Sequence, residues 1–210
     1  ESMARTFAGY GEVGRDLPFI AFLVVSMLML LVYLQMYSAL SVFLRDTHGV
    51  PTQVFGLLMT ASPITVILFQ FPTTRAIKPY PPFLMMVLAT FFYMIGFGMY
   101  GFVSSIWLFA LALVVITVGE MVHMPTASTL VAGFAPEDKR GRYMAVSGLA
   151  WGIPSVIGPS AAGLIFDNFN PFTLWYAAAG VCLIAMGGFY ALHLWLGKQE
   201  RFRIEEGARV

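Results

Sequence analysis

Polar residues are so thinly spread along this chain that six long apolar segments stand between its charged stretches. They run at about residues 18–44, 50–71, 82–103, 106–134, 143–166 and 171–196. A helix needs about 20 apolar residues to cross a bilayer, so the pattern predicts six transmembrane helices. A β-barrel is excluded, because alternating segments of about ten residues are absent. The segments differ in character. Gln35, Gln70 and Glu120 place strong polarity inside the first, second and fourth, and the fifth is dense in small residues. The third and sixth are apolar and aromatic throughout. That order suggests two three-helix units, each with one outer, lipid-facing helix, as in the inverted repeats of secondary transporters. Residues 1–17 precede the first span and residues 197–210 form a charged tail, expected to start as a helix.

Composition agrees with this picture. The chain is 59% hydrophobic and 11% charged, against roughly 25% charged in soluble domains. Charge adds orientation. Threaded through a bilayer, eleven of the twelve Lys and Arg residues fall on one side, and only Arg45, beside Asp46, falls on the other. Basic loops stay cytoplasmic, so both ends of the chain are expected there, in a plasma membrane of bacterial inner-membrane type. The basic residues lie in short loops and form no stripe, which excludes nucleic acid as a partner. Residues 1–18 are polar and Gly-rich, and the first apolar run is longer than a signal-peptide core. Trp107, Trp175 and Trp195 sit near span ends and read as headgroup anchors. Cys182 reads as a small packing residue.

Glu120 is the most informative single position. An ionised carboxylate at that depth costs about 3 kcal/mol on insertion scales, so it must be protonated, paired or facing water. Such acids mark proton relays, ion paths or substrate sites; the alternative is a carboxyl hydrogen-bonded to a neighbouring helix. His123 lies three residues on, on the same face, and is expected to be its hydrogen-bonding partner. Gln35 shares a face with Ser38, and Tyr33 with Tyr37. Gly56, Thr60, Pro63, Gln70 and Thr74 form a second stripe. These stripes either line a water-filled cavity or make interhelical hydrogen bonds. Ala145, Gly148, Gly152, Ser155, Pro159 and Ala162 form a small-residue face suited to close helix packing, and Pro154 and Pro159 permit a kink.

Several chemistries are excluded. Glu-x-x-His occurs in di-iron bundles, but those need further Glu residues that the other spans lack, so no metal site is expected. Gly96-Phe97-Gly98-Met99-Tyr100-Gly101 matches a dinucleotide fingerprint as a string but lacks the strand context and reads as close helix packing. No Ser/His/Asp arrangement or Walker loop supports an enzyme.

Together these features resemble the C-terminal six-helix half of a major facilitator superfamily transporter, within the multidrug-efflux-like proton antiporters. The strongest resemblance lies in Val118-Gly119-Glu120 through Pro125, then Ala135 through Met144, which look like the tenth helix and the following cytoplasmic loop. Gly158-Pro159 with Gly163 resembles the eleventh-helix counterpart of the antiporter Gly-Pro motif, and Tyr33 through Asp46 a seventh helix. Gly9-Tyr10-Gly11 looks like the end of a central linker. The loop Thr74-Arg75-Ala76-Ile77-Lys78-Pro79-Tyr80 departs from the family's Gly/Asp/Arg/Gly pattern, which argues against the usual gating latch in this half. The resemblance implies an all-α fold, with 18–196 forming one 3+3 half, and a partner N-terminal six-helix half in the same or a separate polypeptide.

It also implies proton-coupled export of small amphipathic molecules by alternating access, powered by a proton gradient and without a cofactor. Glu120 would bind a proton or a cationic substrate, and His123 would tune it. Tyr33, Tyr37, Gln35 and Gln70 would shape the cavity. Arg140, Gly141 and Arg142 would help close the cytoplasmic side, and Gly148, Gly152, Gly158 and Pro159 would serve packing or gating. Competing readings are a non-transporting membrane subunit and, more weakly, an oligomeric channel.

Overall fold

The computed structural model describes residues 11, 13–197, 199 and 202. Seven α-helices carry the fold: α1 (Leu17–Tyr33), α2 (Ala39–His48), α3 (Thr52–Ile77), α4 (Pro82–Met99), α5 (Ile106–Phe134), α6 (Arg140–Asn168) and α7 (Thr173–Leu196). Six helical stretches are long and apolar enough to cross a membrane, beginning with Leu17–Met36. The linker through Tyr10 and most of the charged tail lie outside the described residues.

The predicted first span is not one helix. It breaks after Tyr33 into a 3-10 turn (Leu34–Met36) and resumes as the short α2. No Pro or Gly stands at the break. Instead, side chains join the backbone at its acceptors: Gln35 Nε2 donates to the Leu31 carbonyl at 3.0 Å, and Ser38 Oγ lies 3.2 Å from the Leu34 carbonyl, which also accepts the Tyr37 and Ser38 N–H groups. Such local bonds offer the chain an alternative to regular helix. Non-helical backbone at membrane depth is tolerated where protein buries it or a cavity adjoins it. At its far end α2 stops at Gly49, the one described residue with a left-handed backbone (φ 65°), whose N–H caps the Arg45 carbonyl.

Two other boundaries move. α3 continues through Pro72 to Ile77, so Arg75 sits in its last turn. α6 begins at Arg140, so Arg140, Gly141 and Arg142 form a helical first turn rather than a loop. Among the described residues, Arg15, Arg75, Lys78, Lys139, Arg140 and Arg142 all stand at the α1 N-terminal end of the bundle, and Arg45 stands at the other. An aromatic cluster ties the basic end together. Phe19 meets Phe134 and Tyr143 at 5.6 and 4.6 Å, and Tyr143 Oη donates to Asp16 at 2.9 Å.

α4 packs on α5 and α7, and α1 packs on α6 and α7. The α4–α5 contact is as close as the Gly-rich string predicts. A Cβ on Gly96 would stand 2.5 Å from Ile116 Cγ1, and one on Gly119 would stand 2.9 Å from the Ala89 carbonyl. Trp175 is no headgroup anchor. It is fully buried against Phe43, Phe97 and Tyr100 at the end opposite the basic residues, whereas Trp107 and Trp195 are exposed as expected.

Exposure within this half alone does not follow the expected order of inner and outer helices. α4 and α7 each bury a full stripe, and the least covered helices are α3, whose sole buried residue is Ser62, and α6. Their outward residues are apolar: Ile67 is 81% exposed, Phe71 78% and Val156 72%.

Candidate functional site

The break in α1 brings its tyrosines to the carboxylate of α5. Tyr33, the last residue of α1, donates its hydroxyl to Glu120 Oε1 at 2.7 Å. Tyr37, one turn on, lies 3.1 Å from Tyr33 Oη. A phenol has one proton, so with Tyr33 donating to the carboxylate, Tyr37 donates to Tyr33. When Glu120 carries the proton the chain can run the other way, from Glu120 through Tyr33 to Tyr37. Tyr37 is 56% exposed, so this reversible line of hydroxyls joins a half-buried carboxyl to the outside of the chain.

Glu120 and Tyr37 line a groove of about 630 Å³ together with Phe55, Met59, Ser62 and Pro63 of α3. On the other side of the site Trp151 of α6 meets Tyr33 edge-on, with centroids 6.1 Å apart. The carboxylate therefore sits between α3 and α6, the two helices left most exposed. Trp151 was not singled out from the sequence. Among many aromatics in an apolar chain, nothing but its register on α6 marks it.

The other expected residues separate. Gln35 is buried and does not reach Glu120. Its amide stays within the break, where Gln35 Oε1 (3.3 Å) shares the single Ser38 hydroxyl proton with the Leu34 carbonyl (3.2 Å), and it rests on Gly158, where a Cβ would stand 3.0 Å from Gln35 Nε2. The missing Cβ of Gly158 is what leaves room for the amide. Gln70 makes an interhelical bond, donating to the Met121 carbonyl of α5 at 3.1 Å and to Thr74 at 2.9 Å. The Met121 carbonyl is the acceptor that Pro125, four residues on and lacking an N–H, cannot use. Gln70 supplies the missing donor one residue from Glu120.

His123 is a correction. It is buried on the α4 side, with its ring centroid 6.2 Å from that of Tyr93, and neither ring nitrogen has a hydrogen-bond partner among the described residues. The i, i+3 spacing put it near Glu120, but the close approach of α4 at Gly119 draws the imidazole towards Tyr93. The small-residue face of α6 is left open within this chain. Gly148 and Gly152 are exposed, and a Cβ on either would meet nothing within 4 Å. Pro159 is exposed too. The residues that α6 turns inward are Tyr143, Ala150, Pro154, Gly158 and Ala162. Among the described residues no group of three His, Cys, Asp or Glu side chains could hold a metal.

A six-helix membrane unit with a broken first helix and one interior carboxylate is the architecture of half a secondary carrier. The family profile described as Major Facilitator Superfamily matches residues 18–208, and the chain belongs to that superfamily. It is 25% identical over 170 residues to the uncharacterized MFS-type transporter YhjO of Bacillus subtilis, covering 81% of this chain and 42% of that protein. It is 23% identical over 205 residues to a Na(+), Li(+), K(+)/H(+) antiporter of Planococcus maritimus, covering 89% and 46%. It is 37% identical over 100 residues to the putative niacin/nicotinamide transporter NiaP of Bacillus subtilis, covering 48% and 24%. The chain thus spans about half the length of the first two of these relatives.

Proposed function

We propose that this chain is one half of a proton-coupled carrier that exports small amphipathic molecules by alternating access. The observation that carries the reading is the Tyr37–Tyr33–Glu120 line opening on the groove beside α3. A lone intramembrane carboxyl with one oxygen held by a phenol and the other, Oε2, without a partner among the described residues suits a group that gains and loses a proton. A cationic substrate arriving in the groove would compete for the same carboxylate, which is the exclusion that exchange requires. The apolar groove wall of Phe55, Met59 and Pro63 suits an amphipathic molecule.

The partner is a second six-helix unit, in the same or another polypeptide, covering the apolar faces of α3 and α6. Both ends of this chain would lie in the cytoplasm of a plasma membrane, because basic loops resist translocation. A second reading, exchange of inorganic monovalent cations for protons, is favoured by the name of the Planococcus maritimus relative.

The deciding experiment measures transport by the whole carrier in proteoliposomes under an imposed pH gradient. Glu120→Gln, which keeps the shape and removes the titrating group, is expected to abolish gradient-driven transport while leaving expression and thermal stability unchanged. Wild-type transport by that variant would overturn the proton role. Running the assay with an amphipathic cation and with Na(+) decides between the two substrate classes.

A further inference from the structure

The break in α1 separates two cavities, and only one of them contains Glu120. Tyr37 lines the groove on α3, whereas its neighbour Ser38 lines a second cavity of about 510 Å³ between α2 and α6. The walls of the second cavity are apolar, built from Val42, Phe43, Pro159 and Phe166, and it is also lined by Asp46 and Asp167. Sites for drug-sized ligands run from about 300 to 1,000 Å³ and combine such walls with few polar groups.

Charge narrows the occupant. Among the described residues Arg45 is the one Lys or Arg at this end of the bundle, and it is already committed to Asp46 through contacts of 2.7 and 3.1 Å. That hydrogen-bonded guanidinium holds the Asp46 carboxyl below the usual carboxylate range, so Asp46 is ionised at neutral pH. Asp167 has no ion-pair partner among the described residues. Two carboxylates face one cation, so this end keeps an uncompensated negative charge next to an apolar cavity. The uncompensated charge disfavours an anion, while an organic cation with apolar bulk matches both the carboxylates and the apolar walls.

We infer that the cavity between α2 and α6 is a second binding site for an amphipathic organic cation, on the far side of the α1 break from Glu120 and anchored by Asp167 and Asp46. Adjacent residues of one turn, Tyr37 and Ser38, face the two cavities, so the broken segment forms the partition between them. The claim that the second site is a station on the substrate path rests on the transport reading above. The claim that it binds such a cation does not.

The test uses radiolabelled tetraphenylphosphonium and the whole carrier in nanodiscs of zwitterionic lipid, with binding read by equilibrium dialysis. In the Glu120→Gln background the groove loses its charge, and saturable binding is expected to remain. Adding Asp167→Asn is expected to weaken that remaining binding about five-fold, the scale of one solvent-exposed charge at contact distance. Asp46→Asn should act in the same direction. Arg45→Gln, which frees Asp46 and removes a like charge, should tighten binding by a similar factor, and Asp167→Glu should retain it. These residues are exposed at the helix ends, so the variants are expected to fold. Absence of residual binding, or residual binding indifferent to all three charge changes, would overturn the second site and leave the cavity to lipid. Residual binding with the predicted charge dependence upholds the site even if Glu120→Gln transports normally, so the two readings fail separately.

Discussion

Tyr33 decides whether Glu120 is connected to anything. Among the described residues its hydroxyl is the one group bonded to the carboxylate and also the one through which Tyr37 reaches it. Tyr33→Phe keeps the ring contacts with Tyr93 and Trp151 and removes the oxygen. A hydrogen bond to a charged group contributes about 1.5–3 kcal/mol, so the six-helix unit is expected to lose stability on that scale and gradient-driven transport to slow about ten-fold or more. Tyr37→Phe leaves the 2.7 Å bond in place and should slow transport less. Initial rates in proteoliposomes check both, and equal loss in the two variants would mean that the line of hydroxyls is not the path. Glu120 and Tyr33 were legible as single polar residues in apolar spans. Their pairing was not, because it depends on where α1 ends.

The helix break and the prolines show what an apolar pattern conceals. Six spans follow from hydropathy alone, because bilayer thickness sets their length. The interruption at residues 34–38 leaves no mark in hydropathy and contains neither Pro nor Gly. Its only signal is that Gln35 and Ser38 are spaced to take carbonyls of their own helix, and that spacing also fits a cavity stripe. The same ambiguity surrounded Gln70, which proves to serve a proline on another helix. This gives a sharp test. Gln70→Leu leaves the Met121 carbonyl without a donor, which should destabilise the unit by about 0.6–2 kcal/mol, the scale of interhelical polar contacts in membranes. Pro125→Ala restores a backbone N–H to that carbonyl, so in its background Gln70→Leu should cost little. A double-mutant cycle by thermal or denaturant unfolding measures the difference. Equal costs in both backgrounds would show that Gln70 acts through something other than the orphaned carbonyl.

For the whole molecule, small residues stand in two settings, packed between helices and on an open face. Gly96 and Gly119 are small because α4 and α5 leave no room between them, and a Cβ on either would stand within 3 Å of a neighbour. Gly148 and Gly152 are small with nothing near them, on a helix whose outward side chains are also apolar. Hydrophobicity cannot distinguish these cases, since lipid and protein both accept an apolar face and the driving force between helices is packing rather than burial. The sequence therefore showed a small-residue face on α6 without showing that no described residue of the six helices packs on Gly148 or Gly152. The two pairs should respond oppositely to added bulk. Gly96→Leu is expected to destabilise the six-helix unit by about 1–3 kcal/mol, the usual scale of overpacking. Gly148→Leu and Gly152→Leu should leave that unit's melting temperature unchanged and weaken its association with the other half at least ten-fold, read by co-purification of separately tagged halves. Undiminished association in both variants would place the second half elsewhere and leave the small-residue face of α6 to lipid.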